Sequence, residues 1–233
     1  MKVSCEFAGR LGNNMFQAAT VLGYAYKHDV TPVFMQHEYL KTAEKKMNVE
    51  HIYNEPCHAY MEIPYYDNIL LVGYFQSEKY FKDARNVIRS AFIKKTYPVK
   101  DYIAVHVRRG DYLQYPTKHP IPDLEKYYYK AMLSTLKSNF LIFSDDKEYC
   151  KKHFRYHIFS WELYPGLNDY EYLQLMASCG GHIIANSSYS WWGAWLSENN
   201  NVICPSYDNW FGPGNSHLCP HDIIPDNWTQ IKY

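Results

Sequence analysis

The sequence predicts an α/β protein whose parallel sheets are covered by helices on both faces, divided into two lobes of unequal size. Short apolar runs alternate with helical periodicities over most of the 233 residues, the order that parallel strands and their crossover helices impose. The run Ile103-Ala104-Val105-His106-Val107 leaves almost no polar face, as a strand covered on both sides requires. Polar clusters follow four of the apolar runs directly, at the places where the carboxyl ends of parallel strands open onto ligands.

Taken in chain order, Val3 to Phe7 reads as a strand and Asn14 to His28 as a helix. Strands are expected again at Val33 to Met35 and at Ile69 to Tyr74, with an irregular stretch between them. Over 78–93, Phe81, Ala84, Ile88, Ala91 and Phe92 recur at helical spacing and form one apolar face. Pro98 stops that pattern, so Lys94-Lys95-Thr96-Tyr97-Pro98 reads as the linker between lobes 1–98 and 99–233. The second lobe begins with strand 102–107, helix 122–138, strand 140–143 and helix 146–153. It continues with helix 168–178, strand 182–185, helix 189–198 and strand 201–204. Asn168 and Glu171 stand at capping-box spacing at the start of the third of these helices. Beyond Pro205 the chain is rich in Pro, Gly, Asn and Trp and reads as an ordered wrap.

Lys and Arg number 24 against 24 Asp and Glu, so there is no global pull toward nucleic acid or an acidic membrane. No apolar run is long enough to cross a bilayer, and the first residues lack the pattern of a secretory signal. The six cysteines are scattered with no C-x-x-C pair, which suits free thiols in a reducing compartment. A cytoplasmic location is the expectation, and the sequons at Asn186 and Asn227 are read as coincidence. Tyrosine is in excess at 24 residues; its flat apolar face and polar tip suit cores and wet pockets alike.

The four clusters have different chemistry. Gly9-Arg10-Leu11-Gly12-Asn13-Asn14 lacks both the G-x-G-x-x-G fingerprint and a Walker lysine. It is either a turn whose N–H groups receive a phosphate or sugar hydroxyl, or a plain turn with Asn13 capping the helix. Arg108 and Arg109 end the buried strand, where two cations are costly unless an anion meets them; a diphosphate fits their planar forks. His106 either lines that site or is a satisfied core histidine. Ser144-Asp145-Asp146 reads as a helix N-cap or as carboxylates for a base or ribose. Ser187, Ser188 and Ser190 place three hydroxyls at a further helix start, ahead of the mostly core residues Trp191, Trp192 and Trp195. His217, Cys219 and His221 alternate in the tail at a spacing that fits no standard zinc motif. A glycan-binding module built on the aromatic rings is a rival reading, but it leaves the paired arginines unexplained.

Read together, these blocks resemble the α-1,2-fucosyltransferases and, more distantly, the wider fucosyltransferase superfamily. Gly9-Arg10-Leu11-Gly12-Asn13-Asn14-Met15-Phe16-Gln17 is similar to the family's G-x-L-G-N-Q-x-F-Q start, with Asn14 where Gln is usual. His106-Val107-Arg108-Arg109-Gly110-Asp111 matches its H-x-R-R-x-D signature, and Phe143-Ser144-Asp145-Asp146 a third block. Asn186 to Leu196 is similar to a fourth, with Tyr189 in place of Phe. The resemblance implies two Rossmann-like lobes of GT-B type with a cleft between them, the first on the acceptor side and the second binding the GDP-sugar. It implies inverting transfer of L-fucose from GDP-fucose to a glycan hydroxyl, α-1,2 to a galactose-like residue, with no metal or other cofactor; another GDP-sugar is the alternative donor. Arg108 or Arg109 would hold the β-phosphate, Asp145 and Asp146 would lie near the nucleotide, and Ser187, Ser188 and Ser190 near the phosphates. Gly12, Asn13, Asn14 and His106 complete the donor-binding candidates. Arg108, Arg109, Asp111 and His106 are the catalytic candidates: the arginines stabilise the leaving diphosphate, and Asp111 or His106 takes the acceptor proton unless the phosphate itself does. The expected partners are thus GDP-fucose and a glycan acceptor, with peripheral association to a membrane-borne acceptor compatible with the chain and no nucleic acid.

Overall fold

The computed structural model describes residues 1–34, 40, 46–136, 138–199 and 201–233. The ends of two expected elements, at Met35 and Lys137, lie outside the described residues. The chain divides into two compact units, Met1–Lys94 with His221–Pro225 and Lys95–Pro220 with Asp226–Tyr233. Both are α/β, and every strand pairing in both is parallel.

The first unit contains β1 (Lys2–Cys5), α1 (Leu11–His28), β2 (Thr31–Pro32), β3 (His51–Asn54), β4 (Ile69–Val72) and α2 (Arg85–Phe92). Its sheet has the order β2-β1-β4-β3. The strand expected at 33–35 is displaced to Thr31–Pro32, and Val33 extends it by donating its N–H to the Val3 carbonyl at 2.8 Å. The continuous helix expected over 78–93 is broken: Glu78–Tyr80 and Lys82–Ala84 are single tight turns, and α2 starts only at Arg85. Phe81, at φ −150°, interrupts the winding. The chain there lies hard against α1, where a Cβ on Gly23 would sit 2.4 Å from the Tyr80 carbonyl oxygen. Phe16 and Phe81 pack at 6.1 Å across this contact.

The second unit contains β5 (Ile103–Val107), α3 (Lys130–Leu133), β6 (Phe140–Ser144), α4 (Lys147–His153), β7 (Ile158–Phe159) and α5 (Ser160–Leu163). It continues with α6 (Asp169–Ala177), β8 (Gly181–Ile183), α7 (Ser188–Trp195), β9 (Val202–Pro205) and β10 (Thr229–Ile231). All five residues of β5 are buried, as the absence of a polar face required. Ile103, Val105 and Val107 each contribute about 2 kcal/mol through that burial. The capping box of Asn168 and Glu171 is formed, with both bonds at 2.9 Å.

The helix expected over 122–138 is shorter and wound differently. Leu124–Tyr129 forms a π-helical turn, with Tyr128 N–H reaching the Asp123 carbonyl at 3.2 Å, before α3 ends at Leu133. The wider winding lets the neighbours Tyr127 and Tyr128 both point inward. Tyr127 donates to the Ile184 and Ile203 carbonyls, and Tyr128 to the His106 carbonyl at 3.0 Å. Trp191, Trp192 and Trp195 are fully buried and pack on one another, with ring centroids 5.0–5.9 Å apart. They belong to the core.

The sheet order is β10-β9-β8-β5-β6-β7. The chain runs β5, β6, β7 in one direction, returns to place β8 on the other side of β5, and continues outward through β9 and β10. This is the doubly wound order, and its direction switches between β5 and β8.

Candidate active site at the carboxyl edge of the second sheet

Register carries three of the four polar clusters to one place. Val107 of β5 pairs with Ser144 of β6, and Val105 pairs with Ile183 of β8. Arg108-Arg109, Asp145-Asp146 and Asn186-Ser187 therefore leave three adjacent strands at the same edge, beside the switch point. The fourth cluster, Gly9 to Asn14, lies in the first unit.

The paired arginines are met by the protein's own carboxylates. Arg108 forms ion pairs with Asp145 and Asp111 through its two terminal nitrogens. Arg109 donates its backbone N–H to Asp145 at 2.9 Å and its Nε to Asp146 at 3.0 Å. The positive spot expected at 108–109 is thus already compensated: two guanidiniums face three carboxylates. Burial of the strand end explains why, since cations there require anions whether or not a ligand is bound. Gly110 is what allows the approach, because a Cβ there would lie 2.3 Å from Asp145 Oδ2.

The arginines differ in what remains to them. Both terminal nitrogens of Arg108 are engaged by carboxylates, and its guanidinium lies 5.1 Å from the Tyr112 ring centre. Among the described residues the Arg109 guanidinium is bonded through Nε alone, and it lies over Tyr149, 3.7 Å from its ring centre. Its two terminal nitrogens are left for another acceptor. Asp146 serves both purposes, since its other oxygen accepts the Tyr149 N–H at 3.1 Å as the N-cap of α4.

Tyr112 ties the site to β8. Its hydroxyl donates to the Asn186 carbonyl at 2.9 Å, and its ring stacks on His119 at 4.7 Å. Burial pushes its phenol up to about 12, opposed by the charge of Arg108. Asn186 donates to the Pro120 and Trp210 carbonyls at 2.9 and 3.0 Å, while its buried Oδ1 accepts no hydrogen bond among the described residues. With 3% exposure it is not a glycosylation acceptor in the folded chain.

His106 is buried, with Nδ1 lacking a partner among the described residues, and is neither a satisfied core histidine nor solvent-facing. Burial lowers it to about 4, with Asp145 raising it and Arg108 lowering it further. Ser187 is the N-cap residue of α7, and its side chain does not cap. The first intrahelical bond runs from Trp191 N–H to the Ser187 carbonyl, so the amino end of α7 stands at this edge. Ser190 is fully buried, its Oγ 3.4 Å from the Ala185 and Ser187 carbonyls.

In the first unit, Asn13 does not cap α1, which begins at Leu11; its Oδ1 accepts from Gln76 Nε2 at 2.8 Å. Asn14 Nδ2 donates to the Ala8 carbonyl at 2.9 Å and to Gln17 Oε1 at 3.3 Å. Gln17 also accepts from Ala8 N–H and donates to the Gly73 carbonyl. The Asn-Asn-x-x-Gln pattern therefore knits the loops after β1 and β4 together. Gly12 is buried in the first turn of α1.

Sequence reasoning passed over Tyr112, His119 and Tyr149, whose roles come from contacts distant along the chain. The one local signal was Tyr149, three residues after an N-cap aspartate. Among the described residues no group of three or more His, Cys, Asp or Glu side chains is arranged to hold a metal ion. His217 and Cys219 belong to the second unit and His221 to the first. All six cysteines are free, and burial raises the thiols of Cys5, Cys179 and Cys204 far above their usual range and that of Cys150 to about 11.

The second unit is a doubly wound α/β unit with a cluster of charged and polar side chains at the carboxyl edge beside its switch point. A model of glycosyl transferase family 11 matches residues 27–232, and the chain belongs to that family. The match includes the three blocks of the second unit and leaves Gly9 to Gln17 outside it. The chain is similar to an α-1,2-colitosyltransferase of Escherichia coli, 31% identical over 192 residues, which cover 71% of this chain and 63% of that protein. It is also similar to the O-antigen biosynthesis glycosyltransferase WbnK of Escherichia coli, 30% identical over 137 residues, 55% of this chain and 44% of that one. The chain thus spans less than two thirds of either relative. A solved NodZ α-1,6-fucosyltransferase soaked with GDP-fucose aligns at 12% identity and a TM-score of 0.49, over 89% of this chain and 95% of that one. No helix among the described residues is long and apolar enough to cross a membrane.

Proposed function

We propose that this protein is a cytoplasmic, GT-B-type glycosyltransferase that moves L-fucose from GDP-fucose to a glycan hydroxyl, the 2-OH of a galactose-like residue, with inversion and without a metal. The second unit takes the nucleotide sugar and the first serves the acceptor. Membership of family 11 and the resemblance of the four blocks support the reaction class. The observation that carries the site assignment is Arg109: fixed by Asp146 and Tyr149, it keeps both terminal nitrogens for a diphosphate at the switch point. The amino end of α7 at the same edge is of the kind that receives phosphate.

Cleavage of the sugar–phosphate bond moves negative charge onto the diphosphate and positive charge onto the sugar ring. A guanidinium already oriented on a ring needs no rearrangement as that charge grows, which is the property that lowers a barrier. Arg108, saturated by Asp111 and Asp145, acts instead as the post that holds those carboxylates in place. Neither side chain suggested as a base is well suited to it. His106 is a weak base when its pKa is held near 4, and Asp111 is neutralised by Arg108. This favours the departing phosphate as the group that takes the acceptor proton.

Incubation with GDP-fucose and a panel of β-galactosides in EDTA tests the proposal by release of GDP. Absence of turnover with every acceptor, together with no binding of GDP-fucose, would overturn it. The 31% likeness to a colitosyltransferase favours one second reading, in which the donor carries a different deoxy sugar. Competition between GDP-sugars for the same site separates the two.

A further inference from the structure

The end of α4 remote from Asp146 carries a surface that the donor site does not use. A cavity of about 380 Å³ opens there, lined by Lys152, His153, Arg155 and His157 among the rings of Tyr129 and Tyr156, with no carboxylate in its wall. The seven residues of α4 span roughly 10 Å, and His157 packs against Phe140 at the start of β6. The cavity therefore lies toward the amino edge of the sheet, away from Arg109.

Two stretches of chain build this face. Tyr129 joins them, donating its hydroxyl to the His153 carbonyl at 2.9 Å and packing on Phe154. Residues 125–136 and 148–158 contain Lys126, Lys130, Lys151, Lys152 and Arg155, all exposed, against the carboxylates of Glu125 and Glu148. In a chain of zero net charge this is a local excess of cations. The same stretches hold the three most exposed large hydrophobic side chains among the described residues: Leu136 at 107%, Leu133 at 86% and Tyr156 at 83%, where no other exceeds 62%. Leu133 stands one helical turn beyond Tyr129, on the side of the cavity.

We propose that this face docks on a bilayer containing anionic phospholipid. The cations would meet headgroup phosphates, and Leu133, Leu136 and Tyr156 would enter the boundary between headgroups and acyl chains. Separate, highly exposed apolar side chains on stretches that also carry the cations suit a fluid boundary that closes around each one. A protein partner would instead require a contiguous apolar patch of matching shape. Each cation near such a surface is worth about fivefold in binding.

Co-sedimentation with vesicles of phosphatidylcholine alone, or with added phosphatidylglycerol, tests this on the full chain. The wild type is expected to bind only the anionic vesicles, with affinity falling as salt rises. Lys152→Glu/Arg155→Glu should bind at least about tenfold more weakly. Leu133→Ser/Leu136→Ser should also weaken binding, with its salt dependence unchanged. Equal binding to both vesicle types, no binding, or indifference to both double variants would overturn the proposal. Capture by polyglutamate in place of vesicles would assign the face to an acidic protein, and displacement from vesicles by millimolar inorganic phosphate would assign the cavity to free phosphate; either result also overturns it. Both variants should retain wild-type GDP release on a soluble acceptor, so a failure here leaves the proposed reaction standing.

Discussion

Arg109 lies over Tyr149 with its guanidinium 3.7 Å from the ring centre, and Asp146 locks the arrangement by binding Arg109 Nε and the Tyr149 N–H together. Charge, orientation and helix cap are thus one unit. Arg109→Lys keeps the charge but loses the planar contact and the Nε bond. Turnover is expected to fall on the order of 100-fold, equivalent to about 2.7 kcal/mol, with the melting temperature little changed. Asp146→Asn keeps an oxygen for the cap and loses only the ion pair, so it should cost about tenfold. Steady-state kinetics on the two variants checks both; near-normal activity of Arg109→Lys would remove the orientation argument.

Gly110→Ala probes the approach of Asp145 to the arginines. The new methyl would lie 2.3 Å from Asp145 Oδ2 and push the carboxylate off Arg108. Loss of GDP binding by at least about tenfold is expected, with the circular dichroism spectrum retained. Titration calorimetry measures it, and unchanged affinity would mean that the Asp145–Arg108 pair does not shape the site.

Gln17 is a structural counterpart in the first unit. It is fully buried and its amide bonds Ala8, Asn14 and Gly73. Gln17→Leu removes the bonds to the Ala8 N–H and the Gly73 carbonyl and should destabilise the protein by about 2–3 kcal/mol in urea denaturation. A loss below 0.5 kcal/mol, on the order of a single surface substitution, would contradict the bonding described.

Acid stability should depend on two buried histidines. Burial lowers His106 and His182 from 6.5 to about 4, and His182 donates its Nε2–H to the Met176 carbonyl at 2.9 Å. Both are neutral in the folded chain, while the unfolded chain binds protons from pH 6.5 downward. The contribution of these two histidines is therefore full above pH 6.5, is lost between pH 6.5 and 4, and changes no further below. Each contributes on the order of 3 kcal/mol to that loss. His182→Asn should show a flatter decline across this window than the wild type. An equal slope would show that His182 does not carry the effect.

What the sequence disclosed follows the reach of its physics. Strand β5 and helix α6 were legible because a two-sided burial pattern and a capping box are local. The carboxyl-edge clustering of Arg108, Asp145 and Asn186 was legible because parallel topology aligns strand ends. Strands β3 and β10 were not, since His51-Ile52-Tyr53-Asn54 and Thr229-Gln230-Ile231 are largely exposed edge strands without an apolar run. The compensation of the arginines was hidden because Asp145 and Asp146 lie 36 and 37 residues away from Arg109, and each also read as an ordinary cap. The tyrosine excess resolves in part: Tyr127 and Tyr128 hold carbonyls of the core, Tyr112 bridges β5 to β8, and Tyr149 carries Arg109.

The central claim is that a nucleoside diphosphate is held at the carboxyl edge of β5, β6 and β8. A crystal structure of the protein with GDP tests it most directly. The diphosphate is expected within hydrogen-bond distance of the terminal nitrogens of Arg109, beside the first turn of α7, with the Asp146–Arg109 pair intact. GDP bound elsewhere on the chain, or bound at this edge without contact to Arg109, would contradict the claim.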